Sequence, residues 1–544
     1  MIDHPVGRRE RLVVLASCTA ASLAATAWSW CNHAMLNYGD AVAHLHIARR
    51  VIDSHHPGPS QLGSVWLPLP HLLMIPFVAV YPWWANGIAG LIPSALAWIA
   101  ACFGIYKLAR RWLSAAPSAI ALAFFALNPN LIYMQTTAMT EPLFVCEMVW
   151  TALWLVEWRA SIDEPTAKRR SARLLWLIAL VLVAAVFTRY DGWIMALLAW
   201  TAIGTVLLRR GRLGSPAFWM ASVIVVAAPI VWFAYNSVVF GDWLDFARGP
   251  YSALAIEVRT ATPGGGPPHP GWHNPWVSFL FFVKAAEMDA VAASWGNTLL
   301  LVSAVGVAWA WLIARSRAFA WTLLLWLPVP FYAYSIAFGS VPIFLPVWWP
   351  HSYYNTRYGL ELLPAFALSV GFAAAFVSAF VREFKRQALP VAVGIMISIV
   401  AVNDCVVLSE HPLVYVEGTR NIEARRLFEV EIPPAMRALL ATHPGGAVLM
   451  NTSVYPQIVA STGIPLRQTI NEGDQVLYTN ALAAPANHAA VVLAFAGDEI
   501  DRAVKAHPAG LRLVGSFAAP GQPAGKLYVS DTWQPQSGEA ELAR

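Results

Sequence analysis

The residues of this chain with side chains suited to bond making fall in four short groups. They are Asp40, Glu141, the run Arg189-Tyr190-Asp191, and the run from His351 to Arg357 followed by Tyr358. The last run also contains Tyr354 and Asn355. Carboxylates such as Asp40 and Glu141 can accept protons. Arginines such as Arg189 and Arg357 stay charged and suit a planar, two-pronged grip on a phosphate. Each group also has a plainer reading. Asp40 would cap an interfacial helix. Thr140 would cap the next helix, with Glu141 favouring its dipole and Pro142 opening its first turn. Arg189 and Asp191 would pair to hold a tight turn, and Arg357 would snorkel to lipid headgroups.

The four groups are far apart in sequence, so something must bring them together. Six basic clusters supply the argument: Arg8-Arg9, Lys107 with Arg110-Arg111, Lys168 to Arg173, Arg209 to Arg212, Arg315 with Arg317, and Arg382 to Arg386. Long apolar stretches separate them. Lys and Arg near the ends of membrane spans stay on the cytoplasmic side. If all six clusters are cytoplasmic, every loop midway between them lies on the far side, and all four groups share that face.

Composition agrees with a polytopic α-helical membrane protein: of 544 residues, 58% are hydrophobic and only 12% charged. The net charge of +5 resides in the clusters and reads as a topology signal, with no nucleic-acid footprint. Spans of about 20 apolar residues are expected near 12–30, 88–106, 115–132, 142–158, 174–188, 192–208, 216–236, 295–313, 319–338, 358–381 and 388–408. The first reads as an uncleaved span, because Cys31-Asn32-His33 is a poor cleavage site. The apolar stretch 67–81 is short and broken by Pro68, Pro70 and Pro76. Were it to cross, every later basic loop would be inverted, so it is expected to be re-entrant or interfacial. About 11 spans follow, with the N-terminus in and the C-terminus out. The long external loops are 31–66, with an interfacial helix over Ala41 to Ile52, then 237–294, with a turn at Pro263 to Pro270 and a helix over 276–290, and then 339–357.

Residues 1–408 thus form one membrane domain, and composition changes after 409. A helix is expected over 423–443, strands at 447–451, 489–495, 511–517 and 526–530, and helical pieces at 456–462 and 499–506. Strands alternating with helices predict a small extracytoplasmic α/β domain over 409–544. Its polar stretch Asn471 to Asp474 reads equally as a site or as a turn. Five cysteines lack paired spacing, so neither a disulfide framework nor a zinc site is indicated. His33, His44, His46, His55, His56 and His71 crowd the first loop, but His44 and His46 lie two apart and would not share a helix face.

The first loop reads Asn37-Tyr38-Gly39-Asp40-Ala41-Val42-Ala43-His44 and ends in Trp66-Leu67-Pro68-Leu69-Pro70-His71. An acidic residue, an amphipathic helix and a Pro-rich segment in this order resemble the GT-C glycosyltransferases. Protein O-mannosyltransferases (family 39-like) and lipid A aminoarabinose transferases are members. The segments Pro93-Ser94-Ala95-Leu96 and Tyr106-Lys107-Leu108-Ala109-Arg110-Arg111 are also similar, and the likeness covers roughly residues 12–380. The resemblance implies a GT-C-like fold and Asp40 as the catalytic carboxylate, with a polyprenyl-phosphate sugar as donor. The acceptor would be a hydroxyl of an extracytoplasmic lipid, glycan or protein, in a bacterial inner membrane among its lipids. Many members carry a second acid beside the first. Here that position is Ala41, which makes Glu141 the substitute. Arg357 with Tyr358, ahead of Leu363-Pro364, resembles the element that holds the lipid phosphate, with His351, Tyr354 and Asn355 around it and Arg189, Tyr190 and Asp191 lining the donor pocket. No cofactor is expected to be obligatory, although oligosaccharyltransferases of the superfamily need a metal and a divalent ion beside Asp40 stays open. The sugar, and whether its configuration is inverted or retained, also stay open. The rival reading is a transporter or flippase for a lipid-linked or small anionic substrate, with Arg189 and Arg357 as binding charges.

Overall fold

The computed structural model describes residues 6–260, 267–314 and 318–534. The basic pair Arg315 and Arg317 and the first part of the turn expected at Pro263 to Pro270 lie outside the described residues. Apolar stretches become long helices, among them Arg8–Cys31, Ile88–Ala109, Lys168–Thr188, Asp191–Arg209, Pro216–Phe240, Leu363–Lys385 and Leu389–Ser409. Among the described residues nine helical stretches are long and apolar enough to cross a membrane, as in an integral membrane protein.

Helix Glu141–Ser161 runs through the middle of the bundle. It is 21 residues long and buries Glu141, Glu147, Glu157 and Arg159. Charges at membrane depth must be paired, and Glu141, Glu157 and Arg159 are, while Glu147 accepts from Thr188 Oγ1 at 2.8 Å. At one end Glu157 meets Lys107 at 3.2 Å and Arg159 meets Asp163 at 2.8 Å. Arg210 also pairs with Asp163, and Arg110 bonds Glu10 at 2.8 Å. Basic clusters remote in sequence therefore gather at this end. About 24 Å along the same helix, Glu141 faces Arg189 and Arg357.

One expectation is corrected here. The stretch 115–132 is two helices, Ala115–Ala126 and Pro129–Met134. Asn128 accepts from the Asn130 and Leu131 amides at 3.1 and 3.0 Å and so caps the second helix, while Pro129 has no N–H to continue the first. The helix expected over 423–443 forms as Arg426–Thr442, and a further helix, Leu413–Glu423, precedes it, so ordered helix resumes almost at once after the last span. The Pro-broken stretch near 67–81 holds helix Leu69–Val78, whose 10 residues reach only about 15 Å, half the hydrocarbon thickness. The loop helices form at Gly39–Arg50 and Pro275–Ala290.

Beyond residue 445 five strands form one sheet: β1 (Val448–Met450), β2 (Thr469–Ile470), β3 (Val491–Phe495), β4 (Leu511–Phe517) and β5 (Gly525–Ser530). Their order is β2-β1-β3-β5-β4, with β2, β1 and β3 parallel and β5 and β4 antiparallel. The two-residue β2 is too short to leave an apolar pattern in the sequence. β3, all five residues buried, is the centre. The sheet unit packs on the first loop and on the segment after it: Tyr81 donates to the Ala460 carbonyl at 3.2 Å, the Leu466 amide donates to Asp53 at 3.3 Å, and His55 Nε2 lies 3.1 Å from the Thr469 carbonyl. The stretch Asn471 to Asp474 is a self-capped turn, with Asn471 accepting from the Gly473 amide and Asp474 from the Asn471 amide, both at 2.9 Å.

The charge-based topology has a direct check. A reporter fused after Ser409 should lie outside the cytoplasm and one near Arg170 inside. Finding both on one side would break the parity argument.

Candidate active site

The site starts at Asp40. Helix Gly39–Arg50 has Tyr38 at its cap position and no side-chain cap, so Asp40 does not cap it. Its Oδ2 instead accepts from Arg357 Nη2 at 2.6 Å. The Asp40 side chain is 46% exposed while that of Arg357 is 6% exposed. One carboxylate therefore stands at a rim, backed by a buried cation.

Arg357 directs its fork at three carboxylates: Nη2 to Asp40, Nε to Glu141 at 3.0 Å and Nη1 to Glu417 at 3.0 Å. It lies in the 3-10 turn Thr356–Leu362. Asn355 opens that turn with φ +54°, a left-handed conformation that Asn tolerates. This aims the Asn355 and Thr356 amides at Glu417, at 2.8 and 3.0 Å. Gly359 lets the turn lie on helix Pro275–Ala290: a Cβ there would sit 2.5 Å from Asp289 Oδ2 and 2.6 Å from the Ala286 nitrogen. The Tyr358 ring lies 5.1 Å from the Arg357 guanidinium and 5.0 Å from that of Arg189, close enough for cation–π attraction to both.

Arg189 is the second node. It donates to Thr140 Oγ1 at 3.0 Å, Glu141 at 3.4 Å, Asp191 at 3.4 Å and Tyr332 at 2.7 Å, and pairs with Glu361 at 3.1 Å. Thr140 thus serves Arg189 and makes no side-chain cap for its own helix. Glu141 Oε1 accepts from both arginines and is 1% exposed on its side chain, so it bridges the two cations away from solvent. The turn is tight because position 192 is glycine: a Cβ there would stand 2.2 Å from the Ala185 carbonyl oxygen.

Six of the expected residues therefore join one network: Asp40, Glu141, Arg189, Asp191, Arg357 and Tyr358. Asn355 joins through its backbone amide. The other three do not bond it. Tyr190 donates to the Val65 carbonyl at 2.8 Å and stacks on Phe246. His351 is exposed, with Nδ1 2.9 Å from the Pro346 carbonyl. Tyr354 is 46% exposed and pairs with Phe344 through its backbone. His351 and Tyr354 lie in the loop leading to the Asn355 turn, outside the ion-pair core.

Sequence reasoning passed over Glu417, Glu361, Tyr332 and Asp289. Glu361 and Tyr332 sit in apolar spans and bond each other at 2.7 Å. The signal for Glu361 was available, since an ionisable residue inside a span marks function by default. Asp289 is fully buried, and burial, together with nearby Glu417 and Glu141, pushes its carboxyl well above the usual range.

Behind Asp40, His44 Nδ1 lies 2.8 Å from His71 Nε2, against the Trp66 ring. Burial above all, then the charges of Arg357 and Arg189, push the His44 imidazole down to about 3. Unfolded, it titrates near 6.5. This contribution to stability is whole above pH 6.5 and is lost as pH falls through 6.5 toward 3. Between pH 7.5 and 5.5 the loss should be about 1 kcal/mol. Thermal unfolding of wild type and His44→Asn at both pH values checks it, because the variant should lose that part of the dependence. His46 faces Trp84 instead, and among the described residues no group of three or more His, Cys, Asp or Glu is arranged to hold a metal ion.

No protein-family model matches this chain, and no curated protein does. Solved structures do. ArnT from Cupriavidus metallidurans in the apo state aligns over 96% of this chain and 99% of its own, with TM-score 0.53 and 13% identity. The protein has the GT-C fold. ArnT bound to undecaprenyl phosphate aligns over the same shares at TM-score 0.52. The Archaeoglobus fulgidus oligosaccharyltransferase, complexed with Zn and sulfate, aligns over 94% of this chain and 72% of its own at TM-score 0.49 and 11% identity.

Proposed function

We propose that the protein is a membrane glycosyltransferase that moves a sugar from a polyprenyl-monophosphate donor to a hydroxyl of an extracytoplasmic lipid, glycan or protein. The observation that carries this reading is the half-exposed Asp40 carboxylate held at 2.6 Å by a buried arginine. Oδ2 is taken by Arg357, which leaves Oδ1 to accept the proton of an acceptor hydroxyl as its oxygen bonds the anomeric carbon. The departing lipid phosphate gains negative charge and needs a cation rather than an acid. Arg357 has N–H groups left on Nη1 and Nη2, and Nη2 is the one beside the rim. Arg189, like Arg357, has acceptors on all three nitrogens, but none of them is the rim carboxylate Asp40, and it serves as an anchor. Glu141 is too enclosed to meet the acceptor, so a single rim carboxylate fits one displacement, with inversion.

The GT-C fold supports the class, and the undecaprenyl phosphate on the ArnT structure supports a polyprenyl-phosphate donor. A transporter would place its charges along a path through mid-membrane. Here Asp40 and Arg357 meet at one end of the bundle, opposite the gathered basic clusters. The test is mass spectrometry of membrane lipids and envelope glycans from cells with the wild-type protein and with none. A sugar present on an envelope acceptor only with the protein supports the reading; identical profiles, together with uptake or flipping of a lipid-linked substrate, would replace it by transport.

A further inference from the structure

The last span leads through a short turn into helix Leu413–Glu423, and that helix touches both partners at the rim. On one side Glu417 accepts four hydrogen bonds from a single turn: the Asn355 amide at 2.8 Å, the Thr356 amide at 3.0 Å, Thr356 Oγ1 at 2.5 Å and Arg357 Nη1 at 3.0 Å. On the other side the two residues before Asp40 are tied to the same helix. Tyr38 donates to the Val414 carbonyl at 2.6 Å, and the Gly39 amide donates to Asn421 Oδ1 at 2.8 Å. The helix start is pinned from below, where the Val414 amide donates to Asn130 Oδ1 at 2.9 Å. We propose that Glu417 is a positioning residue: it fixes the plane of the Arg357 fork and takes up part of its charge, and so sets both the place and the basicity of Asp40. This rests on the proposed role of Asp40.

The groups facing Arg357 are the carboxylates of Asp40, Glu141 and Glu417 and the rings of Tyr38 and Tyr358, with Tyr354 and His44 further off, Arg189 beyond Glu141 and Asp289 behind Gly359; Asp40 is also faced by Arg425 and Tyr354. Glu417 bonds the end of the guanidinium nearest its own helix. With a neutral group there, more of the Arg357 charge falls on Asp40, which favours the ionised form and makes a weaker proton acceptor.

Glu417→Gln should lower kcat about 10-fold with KM nearly unchanged and move the acidic limb of the kcat–pH profile down by about one unit. A second readout needs no turnover. Asp40 is exposed enough for a water-soluble carbodiimide, and mass spectrometry of the full-length protein in membranes gives its labelling as a function of pH. The half-labelling pH should fall by about one unit in Glu417→Gln. An unmoved midpoint overturns the proposal, whatever happens to activity. If wild type transfers no sugar, the glycosyltransferase reading fails, while the labelling still judges Glu417. Should the Gln variant not fold, Glu417→Asp keeps the charge but withdraws it by about 1.5 Å. Its kcat should fall with the acidic limb in place, and a kcat equal to wild type at equal membrane abundance would overturn the proposal.

Discussion

Arg357→Ala should destabilise the folded protein by about 3–5 kcal/mol, because it strips a buried ion network of its shared cation. Glu141 and Glu417 would keep their burial and lose the group that balances them, with side chains 1% and 6% exposed. The alternative in which Arg357 snorkels to lipid headgroups predicts no such loss, and a side chain 6% exposed with three carboxylate partners does not fit it. Arg357→Lys separates charge from geometry. One ammonium on a flexible stem cannot reach three carboxylates lying on three sides of a planar fork. The Lys variant should therefore fold better than the Ala variant yet transfer sugar about 10²-fold more slowly than wild type, the scale of a misplaced catalytic group. Thermal unfolding and sugar transfer, measured at equal membrane abundance, check both. A Lys variant with wild-type stability and turnover would remove Arg357 from the site.

The meeting of Asp40 with Arg357 was legible because charge is scarce in this chain. Basic clusters punctuated the apolar stretches at a spacing that left every other loop on one face, and the few remaining polar groups fell there. Position within an apolar span hid the rest. Tyr332 lies among residues that read only as membrane-spanning, and although a carboxylate inside a span marks Glu361, the partner of both shows only when Arg189 arrives from another helix. Glu417 follows Leu413-Val414-Tyr415-Val416, which looks like the tail of the last span, and its partners lie some sixty residues earlier. The break at Asn128-Pro129 had a local signal, since that dipeptide favours turn initiation, but the apolar average across 115–132 outweighed it.

Asp40→Asn should leave the fold intact and reduce transfer about 10²–10⁴-fold, the usual contribution of a positioned proton acceptor. The two halves of that expectation have separate causes. Asparagine keeps the size of the side chain and an oxygen that can accept from Arg357 Nη2, and Arg357 would still be balanced by Glu141 and Glu417. The exposed position of Asp40 means that no buried charge is left unpaired by its loss. What disappears is the negative charge and with it the capacity to take the acceptor's proton. Measurement of kcat and KM for the Asn variant, beside its unfolding temperature, separates these effects: kcat should fall while KM and stability stay close to wild type. Near-normal turnover would do more than move the base to another residue. Glu141 is the other acid bonded to Arg357 from the membrane bundle, and with both arginines on it and a side chain 1% exposed it cannot meet an acceptor without dismantling the network. An active Asn variant would therefore sink proton abstraction by this cluster altogether and leave the ion network as scaffold.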